Sequence, residues 1–505
     1  MSVADEIYRY RVEGGVAVLT IDSPPVNALG HKVRIALCDG VARALADDSA
    51  AALVLICAGR TFFAGADVTE IGKPILPPLL ADVMAQFEAS TKPIVSAMHG
   101  TGLGGGLELA LAGHYRVAVP SAVVGLPEVA LGLLPGAGGT QRVPRLIGVA
   151  AAIEMIGLGR HVKAPEALDL GLIDALVPEG ELEASAIAFA QKIVRDRAPL
   201  RRLRDLTTDI GLDEARAVFE HFRAAHPELF IGVKAAAGVF EAIEAAVALP
   251  FDEGLERERA ISRRLVASPE SAAQRYLFFA ERTAAKFPGA EKEKPRAGVV
   301  EIVEAAGDRV AYGAALATSG AEVVVATRFV EAFDELAAAT GRADALVGMV
   351  VTGGIAEIVV GAKTAPAAAL AAAAAARKSG YATIFVSSGP GLVVGRLEAA
   401  LAVSVAALQG EGVAPSDIAA TGRAFGFRDA LLPVADGGAS EAIEERLLRP
   451  ILAEAQAIVA EGVAKRASDV DFAMVRAGLW PLWRGGPAFM AERVEASPAA
   501  PSIPA

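Results

Sequence analysis

Two short apolar runs, Leu53–Cys57 and Ile94–Met98, the second interrupted only by Ser96, constrain this chain more than any other feature; each meets a glycine within two residues, Gly59 and Gly100. Runs that short, with no polar alternation, read as buried strands that end in a turn. Val16–Ile21, entered from Gly14-Gly15, and Tyr115–Val119 read as strands too, while His31–Ala46 repeats its apolar residues at helical spacing. Strands and helices alternate over residues 1–190, an α/β pattern.

The character changes downstream. Residues 191–295 carry charged helical segments, Leu203–Arg216 and Gly254–Val266, without strand signals, and the run Glu256, Arg257, Glu258, Arg259 reads as a solvated helix face. Residues 296–389 return to α/β, with strands at Val299–Val303, Glu322–Ala326 and Ala382–Val386 and an alanine-rich helix at Ala365–Lys378. Residues 390–495 are helical and contain a repeat: Gly410-Glu411-Gly412-Val413-Ala414 returns as Ala460-Glu461-Gly462-Val463-Ala464, each copy leading into an Asp-containing helix. Residues 496–505, rich in Pro, Ala and Ser, read as a flexible tail.

Composition excludes several classes. A net charge of −12 argues against nucleic acid as a partner. Two cysteines, Cys38 and Cys57, are too few for a disulfide scaffold or a structural zinc site, and no metal site is expected. No signal peptide, membrane span or peroxisomal address is read, so a cytoplasmic protein is expected.

Three segments of the first 190 residues look chemical: Ala64-Gly65-Ala66-Asp67-Val68, Gly104-Gly105-Gly106-Leu107-Glu108, and Leu126-Pro127-Glu128 leading to Gly138-Gly139-Thr140. Glu108 and Glu128 both sit among apolar neighbours, where a carboxylate is costly unless it is paired or used. Two such groups can be pushed to different pKa values, one acid and one base. The bland alternatives are a helix-end contact for Glu108 and a surface carboxylate for Glu128. Consecutive glycines at a helix start let a ligand approach backbone N–H groups, which suits a developing oxyanion.

Together with Pro25-Val26-Asn27-Ala28-Leu29 and Gln141-Arg142, these segments resemble the crotonase, or enoyl-CoA hydratase/isomerase, family over about residues 8–190. The resemblance implies a spiral of ββα units. It implies Glu108 and Glu128 as the catalytic pair, the N–H groups of Ala66 and Gly105 as an oxyanion hole, and CoA contacts at Val26, Ala28, Ala64, Asp67 and Val68. Hydration of a 2-enoyl-CoA is the expected reaction. A Δ3,Δ2-isomerase, a hydratase or lyase for an unusual acyl group, and a non-catalytic acyl-CoA-binding protein are the alternatives.

Downstream, Phe251-Asp252-Glu253-Gly254-Leu255, Phe278–Arg282, Pro390–Val394 and Arg484-Gly485-Gly486-Pro487 resemble the 3-hydroxyacyl-CoA dehydrogenase part of the multifunctional β-oxidation enzymes, in a shortened Rossmann-like form. Its chemistry does not match. Glu304, Ala306 and Arg309 stand where a dinucleotide loop needs glycines, and Thr327 stands where an acid would hold the ribose. All six histidines precede residue 230, so the family's catalytic histidine has no counterpart; Gly395 replaces its asparagine, and Glu357 alone survives. Loss of NAD binding, no cofactor, and a monomer are the expectations.

Overall fold

The computed structural model describes residues 7–70, 73–74, 76–304, 308–428, 432 and 437–495. It divides into two compact units, Met1–Ser271 and Ala272–Ala505. The expected tail at 496–505, and Ala306, lie outside the described residues.

The first unit is built on strands β1 (Tyr8–Glu13), β2 (Val16–Ile21), β3 (Ala52–Cys57), β4 (Ile94–Met98), β5 (Thr101–Leu103), β6 (Tyr115–Ala118), β7 (Val123–Gly125), β8 (His161–Lys163) and β9 (Ala175–Leu176). One sheet runs β1-β2-β3-β4-β6-β9 and a smaller one β5-β7-β8. From β2 to β9 the large sheet is parallel, and only β1 pairs antiparallel. Every residue of β2, β3 and β4 is buried, Thr20 and Ser96 included, as near-continuous apolar runs require when helices cover both faces of a parallel sheet.

The helices are α1 (His31–Ala46), α2 (Leu80–Glu88), α3 (Gly105–Ala112), α4 (Gly139–Ile147), α5 (Val149–Gly157), α6 (Ala164–Asp169), α7 (Leu182–Arg195), α8 (Leu212–Ala225), α9 (Ala235–Ala248) and α10 (Phe251–Val266). The unit reaches well past residue 190: α9 packs on α4, α5 and α10, and Val239, Ile243, Ile261 and Leu265 belong to the same core as β2 and β3. One expected helix is displaced. Leu203–Arg216 is only a single tight turn at Leu203–Asp205, and α8 begins at Leu212 behind Gly211. Leu206-Thr207-Thr208 supplies two β-branched residues there, which resist continuing a helix.

In the second unit β10 (Val300–Val303), β11 (Val323–Ala326), β12 (Leu346–Thr352), β13 (Ile355–Val360) and β14 (Ala382–Ser387) form one sheet in chain order. β12 and β13 are an antiparallel hairpin, and the other neighbours are parallel. Alternate side chains feed two cores. Val323, Val325 and Phe385 meet the alanine-rich helix Pro366–Lys378, while Val324, Ala326 and Ile384 meet the C-terminal helices. The repeat is real in three dimensions. Helices Val394–Gly410 and Glu441–Ala460 pack on each other, each turns at a left-handed glycine, Gly412 or Gly462, and each is followed by a shorter helix, Pro415–Phe425 or Ala467–Arg476.

Candidate active site

The site sits where the ends of β3 and β5 and the start of α4 converge. The turn after β3 is stitched to the early loop: the Leu29 N–H donates to the Gly65 carbonyl at 2.9 Å, and the Ala64 N–H to the Val26 carbonyl at 3.2 Å. Asn27 holds this loop from inside, its amide donating to the carbonyls of Ala58 and Thr61. Ala66 is left exposed at the turn's tip, next to Gly105, the first residue of α3. A Cβ on Gly105 would lie 3.3 Å from the Ala66 nitrogen. Neither N–H has an acceptor among the described residues. Two adjacent unpaired donors at a helix N-terminus form a place for negative charge.

Glu108 follows on the first turn of α3 and is 2 % exposed. Its Oε1 accepts the N–H groups of Ala137 and Gly139, both at 2.8 Å. Glu128 opens the tight turn Glu128–Leu131 behind Pro127. The residue as a whole is half-buried, but its Oε2 is buried and has no hydrogen-bond partner among the described residues. Gly104 brings the two chain segments together. It has φ +52°, and a Cβ there would sit 2.9 Å from Glu128 Oε1. The glycine run is therefore required by the approach of Glu128 as well as by the helix start.

Burial pushes both carboxyls above the ordinary range. For Glu108 the two N–H donors and the Arg142 charge work the other way and favour the ionised form. Glu128 is driven further up, because the charges of Glu108 and of Glu258 add to its burial.

Glu258 is the residue that sequence reasoning missed. It lies on α10 in the run read as a solvated face, where Glu256 and Arg257 are indeed exposed, yet it is fully buried. Its Oε1 accepts Gly138 N–H at 2.7 Å, and its Oε2 accepts both Thr140 N–H at 3.1 Å and Thr140 Oγ1–H at 2.5 Å. Helical spacing held the signal: Phe251, Gly254, Glu258, Ile261 and Leu265 form the buried stripe of α10.

An adjoining cleft of about 340 Å³ is lined by Leu29, Ala66, Asp67, Leu80, Ala137 and, from α10, Arg259 and Arg263 among others. Of the expected CoA contacts, Asp67 is on its wall, whereas Val26, Ala28, Ala64 and Val68 are not. Asp67 also holds its own turn, accepting from the N–H and hydroxyl of Thr69.

Residues 11–222 match the enoyl-CoA hydratase/isomerase family. The chain is 44% identical over 278 residues to the peroxisomal bifunctional enzyme of Danio rerio, covering 55% of this chain and 38% of that protein. It is 37% identical over 288 residues to the glyoxysomal fatty acid beta-oxidation multifunctional protein MFP-a of Cucumis sativus, covering 54% and 39%. The matched region thus spans less than two fifths of the length of these relatives. A solved enoyl-CoA hydratase subunit I from Geobacillus kaustophilus is 28% identical and covers 57% of this chain and 97% of its own, at a TM-score of 0.36.

Proposed function

We propose that the unit ending at Ser271 hydrates a 2-enoyl-CoA thioester to the 3-hydroxyacyl-CoA. The observation that carries this is the pairing of two buried carboxyls, Glu108 and Glu128, beside the unpaired N–H groups of Ala66 and Gly105. The thioester oxygen is held by those two donors. Glu108, favoured as the anion by its N–H contacts, takes a proton from water while the water oxygen bonds to Cβ. Electrons move through the conjugated system onto the thioester oxygen as an enolate, and Glu128, which keeps its proton, delivers it to Cα. The water supplies the hydroxyl on Cβ, and its other proton, taken by Glu108, replaces the one that Glu128 gives to Cα. Glu108 ends protonated and Glu128 ionised, so a proton passes back between the coupled pair before the next turnover. Arg259 and Arg263 on the cleft wall suit the phosphates of CoA.

The test is hydration of crotonyl-CoA and longer 2-enoyl-CoA esters. Glu108→Ala and Glu128→Ala should each lower kcat by about 10²–10⁴-fold. Wild-type hydration by either variant would sink the assignment. The pH profile of kcat/KM should be bell-shaped. Activity falls at low pH as Glu108 is protonated and at high pH as Glu128 loses its proton, both limbs lying above the ordinary carboxylate range because both folded pKa values are raised.

The second unit is read as having no dehydrogenase activity. Glu304, Arg309 and Thr327 occupy the dinucleotide positions, and the chain-order sheet has no reversal of strand order of the kind that opens a nucleotide crevice. Glu357 has a structural use instead, accepting the Val393 N–H at 2.8 Å where helix Val394–Gly410 begins. Calorimetric titration with NADH checks this, and saturable micromolar binding would overturn it. No metal or cofactor is needed by the reaction proposed.

A further inference from the structure

The four successive N–H groups of residues 137–140 are divided between two carboxylates in strict alternation. Ala137 and Gly139 donate to Glu108 of α3, and Gly138 and Thr140 donate to Glu258 of α10. These groups include the N-terminus of α4, where partial positive charge and free donors favour an anion. The loop is pinned at its other end as well, for buried Arg142 donates to the Ala137 carbonyl at 2.9 Å and to Glu88 Oε1 at 2.7 Å. Close packing fixes α10 against it: a Cβ on Gly254 would lie 2.2 Å from Gln141 Oε1, and one on Gly136 would lie 2.9 Å from Ser262 Oγ.

Resting on the hydratase reading above, we infer that Glu258 is a positioning residue for that site: by taking the Gly138 and Thr140 donors it aims the Ala137 and Gly139 N–H groups at Glu108. Gly138 is left-handed, with φ +99°, and the chain turns there directly into α4, so the four N–H directions are set together and fixing one alternate set fixes the other. Removing Glu258 leaves two buried N–H groups and the Thr140 hydroxyl without their acceptor, and the loop rotates to find water or another oxygen. The Glu108 carboxylate then loses its orientation without losing any atom of its own. Charge acts in parallel. Burial and the Glu108 charge push the Glu258 carboxyl up to about 8, so it is ionised towards the alkaline end, where its charge raises Glu128. The ionisable groups that set its titration are Glu108 on α3, Glu128 on its tight turn and Arg142 on α4, with Glu88 on α2 behind Arg142.

The test uses the full chain with Glu258→Gln, Glu258→Asp and Thr140→Val. Glu258→Gln should lower kcat by on the order of 10- to 100-fold with KM little changed, since substrate contacts stay in place while the base is misaimed. The alkaline limb of its pH profile should move to lower pH, because the like charge that holds Glu128 up has gone. Glu258→Asp should recover part of kcat and restore the profile. Thr140→Val, which deletes only the hydroxyl donor, should lie between wild type and Glu258→Gln. Hydrogen exchange of the 137–140 amides supplies a readout that needs no turnover: Gly138 and Thr140 should exchange faster in Glu258→Gln. A Glu258→Gln protein with wild-type kcat and an unshifted alkaline limb overturns the inference, as does unchanged amide exchange. Failure of the wild-type chain to hydrate any 2-enoyl-CoA overturns the hydratase reading instead, and the exchange result alone then decides whether Glu258 holds the loop.

Discussion

Gly104 shows how a single missing side chain sets the site. Its φ of +52° with ψ −128° is closed to residues bearing a Cβ, and that Cβ would press on Glu128 Oε1. Gly104→Ala should therefore cost about 1–3 kcal/mol of stability and also displace a carboxyl of the proposed pair. Gly15 is the control: its φ is +82°, but nothing lies within 4 Å of the place where its Cβ would go. Gly15→Ala should show the stability loss in denaturant titration with kcat unchanged, and Gly104→Ala should show both losses. Equal kcat in the two variants would refute the contact. Gly106 belongs to the same logic, since a Cβ there would meet the Phe63 carbonyl oxygen at 2.2 Å.

At the level of elements, sequence periodicity located what is long or uniformly buried. Val16–Ile21, His31–Ala46 and Ile94–Met98 end where their patterns end. The three-residue strands β5, β7 and β8 are too short to carry a period, and β13 was hidden because a hairpin follows β12 after only Gly353-Gly354. The proposed acid/base pair stood out in the sequence because both glutamates interrupt apolar stretches. Glu258 was not, because its neighbours in sequence are charged and only its neighbours at three- and four-residue spacing are apolar. The same loop suggests a test at this scale. Glu88 at the end of α2 neutralises Arg142 at the start of α4, both buried, with Arg204 on its other oxygen. Breaking a buried pair leaves an uncompensated charge, so Glu88→Ala should lose about 3–5 kcal/mol. A loss below about 1 kcal/mol in chemical denaturation would show that water repays Arg142.

Across the whole molecule, pH acts differently on the two units. In the first, burial holds His114 neutral by lowering it to about 4, so stability there falls as pH drops below the unfolded histidine value of 6.5. In the second, burial raises Glu357 and Asp471 to about 7. Such groups stabilise below their unfolded pKa, and that contribution is lost as pH rises towards 7. The chain's two tryptophans, Trp480 and Trp483, both lie in the second unit, so fluorescence-detected melting reports on that unit. Its midpoint should fall between pH 4.5 and 7.5, and Glu357→Gln should flatten the decline by up to about 3 kcal/mol at the upper end. A midpoint that rises over this range would contradict the burial of both carboxyls. The alternating grip on residues 137–140 has one more consequence, in time. Chains are made from the N-terminus, and domains fold as they emerge. Glu108 and the loop leave the ribosome more than a hundred residues before Glu258, so on the reading proposed the nascent chain carries the Glu108–Glu128 pair early and gains the second half of the grip only when α10 arrives.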